Sequence, residues 1–112
     1  MKILNEKKYW NVIDFIDVAV DSEELMDWLI NLELLPDNLR NDHLAKMRVK
    51  MIENKEPDEI IGIVESINKR EILSAINLVI QDVYNSGMKT KKYLKNNSTE
   101  NFNVLINLIA PV

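Results

Sequence analysis

The sequence predicts an all-α fold: a single compact bundle of five to six amphipathic helices, read as one domain over residues 1–112. Three observations carry this. Only two Gly and three Pro occur in 112 residues, too few turn formers for a sandwich or barrel, whose Gly- and Pro-bearing turns recur every ~8–12 residues. Apolar residues return at three- and four-residue steps along most of the chain, the spacing that draws one apolar stripe along a helix. A content of 46% hydrophobic and 29% charged residues supplies enough core formers to offset chain entropy, unlike a disordered segment.

The first helix is predicted over Glu6 to Val20, with Tyr9, Val12, Ile13, Ile16, Ala19 and Val20 on its apolar face. Asp21 and Glu24 have the spacing of a capping box, in which a short acceptor side chain satisfies open backbone N–H groups, so a second helix starts there. Leu25, Met26, Trp28, Leu29 and Leu32 give it a broad apolar face. Pro36 ends it, because the ring disfavours helical geometry in the preceding residue. The short connection makes these two helices a tight antiparallel pair.

Asp37 or Asn38 caps a third helix running to about Asn54, thinly apolar, with Leu44, Met47 and Met51 inward and Arg40, Lys46, Arg48, Lys50 and Glu53 outward. Pro57 suits the first turn of a fourth helix, where its missing N–H costs nothing. Ile60, Ile61, Ile63, Val64 and Ile67 form the core face of that helix, and Gly62 within it is expected to permit a close helix crossing. Asn68 with Glu71 repeats the capping-box spacing and opens a fifth helix. Ile72, Ile76, Val79, Ile80 and Val83 line its stripe, with Ser74, Asn77 and Gln81 opposite, and Gly87 stops it. The fifth helix is expected at the centre, the first two as an acidic outer layer. A basic, polar connection follows, with room for a helical turn. Ser98 or Thr99 then caps a last helix with Phe102, Leu105, Ile106 and Ile109 inward.

The two capping-box boundaries, Asp21 and Asn68, lie 47 residues apart. Helical-hairpin solenoids repeat at ~40–47 residues, so HEAT-like hairpin pairs are the alternative to an irregular bundle.

Chemistry is sparse. Without cysteine, thiolate catalysis, disulfides, iron–sulfur clusters and cysteine zinc sites are excluded. The single histidine, His43, follows Asp42, but neighbours on a helix point ~100° apart, so the Asp cannot orient the ring. The carboxylates Glu53, Glu56, Asp58 and Glu59 lack the Gly-centred spacing of a calcium loop and are read as capping and solvating groups. Gly62 and Gly87 stand alone and make no phosphate loop. The expectation is a non-enzyme with neither cofactor nor metal. No apolar run approaches the ~18 residues of a membrane span, and the charged opening at Glu6, Lys7 and Lys8 does not resemble a secretory signal. A cytoplasmic address is expected.

Net charge is −4, unlike the concentrated cationic face of a nucleic-acid binder. The charge is graded: residues 1–35 sum to −5 and residues 71–112 to +1. Two surfaces follow. On the first helix Trp10, Asp14, Asp17 and Asp21 stand at i, i+4, i+7 and i+11, one line roughly opposite the apolar face, with Val18 beside it. Glu24 and Asp27, with Glu23 and Glu33, extend the negative field onto the second helix. An indole ringed by carboxylates reads as an aromatic anchor within an acidic rim, fit to dock a basic protein. The plainer reading turns Trp10 into the core and leaves the carboxylates as solvation.

The second surface is the stretch Lys89, Lys91, Lys92, Tyr93 and Lys95, where four cations and an aromatic ring could follow a phosphate backbone and stack on a base. Its plainer reading is a solvated linker. The leading functional expectation is a protein-binding module, of the kind a bacterial immunity or antitoxin-type inhibitor represents, occluding a basic toxin or nuclease. The alternatives are a nucleic-acid-associated regulator using residues 89–95, or a homo-oligomeric structural bundle.

Overall fold

In the computed structural model, residues 10–96 and 100–109 are described, apart from the side chains of Trp10, Asn11 and Glu59. Seven helices occur among them: α1 (Trp10–Val20), α2 (Glu23–Leu34), α3 (Asp37–Glu53), α4 (Asp58–Ser66), α5 (Arg70–Ser86), α6 (Thr90–Asn96) and α7 (Glu100–Ile109). The all-α class is as expected, but the count is seven instead of five to six. The added helix is α6, in the stretch expected to be a linker. Thr90 and Leu94, four residues apart on one face, are both buried, which anchors a segment whose lysines alone give it no reason to fold against the core.

The α5 helix is central. Its buried residues Ile72, Leu73, Ala75, Ile76, Val79, Ile80 and Val83 meet α1, α2, α6 and α7, each fully buried aliphatic side chain contributing ~1.5–3 kcal/mol by leaving water. Phe102, Leu105 and Ile106 of α7 close one side. Gly87 ends α5 at φ +72°, a left-handed conformation that costs glycine nothing. The α1 helix is not in an outer layer: it lies against α2, α4, α5 and α6, and Ile13, Ile16 and Ala19 are fully buried.

Several local expectations are corrected. Ser22, not Asp21, caps α2, its Oγ accepting from the Leu25 N–H at 3.1 Å. The α5 N-terminus has no side-chain cap, so Asn68 and Glu71 do not make a capping box there. Nor does Asp37 or Asn38 cap α3, which begins at Asp37 after Pro36. Pro57 stands at the N-cap of α4, one residue before its first turn. Gly62 is exposed, with open space where a Cβ would stand, so it supports no close crossing. The expected cap at Ser98 or Thr99 and the segment Glu6 to Tyr9 lie outside the described residues.

Two polar residues placed outward by composition are inside. Asn77 of α5 donates through Nδ2 to the Leu29 carbonyl at 3.1 Å and to Glu33 Oε1 at 2.8 Å, pinning α5 to α2. Arg40 of α3 is 1% exposed. Its Nη1 donates to the Leu35 carbonyl at 3.1 Å, Nε and Nη2 both reach the Asn68 carbonyl at 3.2 Å, and Nη2 also pairs with the Asp37 carboxylate. One planar fork thus joins the α2–α3 corner to the α4–α5 corner, using carbonyls left open where helices end.

Candidate functional site

The acidic line on α1 is divided by what packs beside it. Asp17 faces α6: its Oδ1 accepts from the Thr90 N–H at 2.9 Å and from the Thr90 hydroxyl at 2.6 Å. A carboxylate there meets open N–H groups and the positive end of the helix. Asp21 pairs with Lys89, Oδ2 to Nζ 3.1 Å, and that hydrogen bond, with the charge of Asp21, raises the Lys89 pKa above the ordinary lysine value. The two surfaces read separately in sequence, the acidic face of α1 and the basic segment, therefore adjoin and partly neutralise one another.

Lys91, Lys92 and Lys95 are exposed. Tyr93 is half-buried and packed against the core. Its phenol pKa is raised, by desolvation first and by the nearby Asp82 carboxylate second. A ring seated in this way offers less of its face to a nucleobase than an exposed platform would. Glu24 and Asp27 are exposed on α2, Asp27 beside a shallow cleft with Ile30 and Tyr84. The backbone of Trp10 opens α1, but its side chain, the proposed anchor, lies outside the described residues.

Asp14 and Val18 face the other way, into an apolar groove of about 360 Å³. Phe15 and Val18 of α1, Leu25 and Trp28 of α2, Met47 and Met51 of α3, and Ile60 and Val64 of α4 form its walls, with Asp14 and Glu56 at its mouth. Val18 is 60% exposed. The groove exists because α2 and α3, joined only through Leu35 and Pro36, make few contacts with each other, while α3 rests on α4. Leu44 is the one fully buried apolar residue of α3, so the α3 stripe is too thin to seal against α2.

The chain turns from α3 to α4 so as to bring Glu56 back over this groove. The Glu56 N–H donates to the Met51 carbonyl at 3.0 Å and the Lys55 N–H to the Ile52 carbonyl at 3.0 Å, with Lys55 at φ +58°. This is a Schellman turn with lysine in the position glycine usually takes. Among the described residues no cation pairs with Asp14 or Glu56.

Trp28 borders two further clefts that adjoin this groove. One includes Asn31, Leu35 and His43, the other His43, Lys46, Met47 and Lys50. His43 is exposed on the α3 surface. Sequence reading assigned Trp28, Met47 and Met51 to the core, whereas all three are half-buried. No group of three or more His, Asp or Glu that could hold a metal ion occurs among the described residues, and no helix among them is long and apolar enough to cross a membrane. No family model matches the chain, and neither curated proteins nor solved structures give a match.

Proposed function

We propose that this protein is a non-catalytic protein-binding module that docks its partner over the groove between α2 and α3, closed by α1 and α4, in the manner of an immunity or antitoxin-type inhibitor occluding a basic protein. The observation that carries this reading is the groove itself: a half-buried Trp and two Met among apolar walls, with carboxylates at the mouth that have no cation partner among the described residues. Half-buried aromatic and methionine side chains ringed by polar groups are the composition of an interface centre. Glu24 and Asp27, exposed elsewhere on α2, add negative charge to the surface beyond the groove and would speed the encounter with a cationic partner. The docking centre thus moves from Trp10 to the Trp28 side of α1, keeping Asp14 and Val18.

The 47-residue spacing also supports reading α1–α2 and α4–α5 as two copies of one helical hairpin of HEAT type, since α2 begins at Glu23 and α5 at Arg70.

The test is affinity purification of the tagged protein from the cells that encode it, wild type beside the double variant Asp14→Lys, Val18→Asp. Both positions are exposed, so the variant keeps its helical circular dichroism. The expected result is a basic protein that accompanies the wild type and is lost from the variant. Equal recovery of the same partners by both chains overturns the reading.

A further inference from the structure

The groove has a shape and a charge pattern, and these narrow what can occupy it. Along α3 its wall runs from His43 to Met51, and along α2 from Leu25 to Leu35. At 1.5 Å per helical residue these walls are roughly 12–15 Å long, the length of two to three helical turns. Trp28 borders every segment of the trough. Its chemistry differs by position. Asp14 and Glu56 make the α1 end negative, whereas Lys50, with Lys46 held by Asp42 at 3.1 Å, makes the α3 rim positive.

We propose that the trough between α2 and α3 receives one amphipathic helix of the partner protein, its apolar stripe on Trp28, Met47 and Met51, with Lys or Arg at the end meeting Asp14 and Glu56. This rests on the docking reading above and specifies the form of the docked segment. An amphipathic helix presents apolar anchors at i, i+3, i+4 and i+7 along about 10 Å, which matches the trough, and its backbone hydrogen bonds are already satisfied. Methionine walls adapt to such anchors because the thioether side chain is unbranched and polarisable. Charge complementarity selects the sign. A cation at the α1 end gains two carboxylates that have no partner among the described residues, whereas an anion there meets like charge.

The probe is a synthetic amphipathic peptide of about 14 residues with leucines at those spacings and arginines at one end, compared with the same peptide carrying glutamates there. Binding is read from the methyl resonances of Met47 and Met51 in protein labelled at methionine methyls. The expected result is saturable binding of the arginine peptide that moves both resonances, and weakening of about tenfold or more in the double variant Asp14→Lys, Glu56→Lys. That variant should in turn prefer the glutamate peptide, which a mere loss of folding cannot produce.

Absence of saturable binding up to about 1 mM peptide, or equal binding by wild type and variant, overturns the proposal. So does displacement of the peptide by decylamine at equimolar dose, which would mark a site for small amphiphiles. Self-association that alone accounts for the methionine shifts overturns it too, in favour of a second copy of this chain. If the peptide fails while the Asp14→Lys, Val18→Asp chain still loses its co-purifying partner, the helical form of the ligand is wrong and the docking reading stands.

Discussion

Asp17 on α1 and Thr90 on α6, 73 residues apart, share two hydrogen bonds through a single carboxylate oxygen, at 2.9 and 2.6 Å. Thr90 is fully buried, so this contact fixes where the basic segment lies. Asp17→Ala leaves a buried N–H and hydroxyl without their acceptor, at an expected cost of about 1–3 kcal/mol in urea unfolding. In a Thr90→Ala background the same change should cost distinctly less, because one of the two orphaned donors is gone. Equal costs in both backgrounds would mean that the hydroxyl bond contributes nothing.

Arg40 gives a second prediction, which separates its carbonyl partners from its ionic one. Asp37 is 76% exposed, and an exposed carboxylate adds ~0–1 kcal/mol to such a pair. Asp37→Asn is therefore expected to change stability little. Arg40→Ala should cost about 2–5 kcal/mol, through lost packing and the stranded carbonyls of Leu35 and Asn68. Arg40→Lys should fall between, since an ammonium cannot reproduce the planar fork. A large loss for Asp37→Asn in thermal or urea unfolding contradicts this ranking.

Backbone geometry makes opposite predictions at three sites. Gly87→Ala places a Cβ at φ +72° and should destabilise by about 1–2 kcal/mol. Lys55→Gly relieves the left-handed lysine of the α3–α4 turn and should gain about 1 kcal/mol. Gly62→Ala, inside α4 with open space around the new methyl, should gain ~0.5–1 kcal/mol. Unfolding midpoints of the three variants give the signs directly.

Two groups should titrate high. Lys89 is raised by its bond to Asp21, so nitrogen-detected NMR should place its pKa above the ordinary lysine value, and Asp21→Asn should lower it. The stabilising effect of this pair is complete below the ordinary lysine pKa and disappears as pH rises through the folded value. Tyr93 is raised chiefly by desolvation. Its phenolate absorbance should emerge at higher pH than that of a free tyrosine. Its folded state likewise binds the proton more tightly than the unfolded chain, so stability falls as pH rises past the ordinary tyrosine pKa. Titration of Tyr93 at the ordinary tyrosine value would refute the seating of its ring.

Periodicity made most of the helices legible, because the stripes of α5 and α7 are regular and Gly87 marks a stop that only the backbone requirement explains. It also carried information that composition obscured. Arg40, Leu44, Met47 and Met51 stand at i, i+4, i+7 and i+11 on the inward line of α3, and Asn77 lies between Leu73 and Ile80 on that of α5. Spacing placed both inside, whereas the usual exposure of Arg and Asn placed them outside.

The α6 helix was not legible, since seven residues with three lysines offer only Thr90, Tyr93 and Leu94 to the core, too few to draw a stripe. The groove was hidden for a different reason. A helix face reveals which residues avoid water, but not whether the neighbouring helix comes close enough to cover them. That spacing is set by the α2–α3 corner, where the chain ends one helix and begins another around Arg40.

The Arg40 fork has a consequence for how the molecule opens. The α2–α3 and α4–α5 corners share one donor group, so loosening either leaves a guanidinium half-solvated beside acceptors it no longer reaches. Fraying at the two corners is thereby linked, although 28 residues separate Arg40 from Asn68. Amide protons near Leu35 and near Asn68 should exchange with deuterium as one cooperative unit, slowing and quickening together when the bundle is stabilised or stressed.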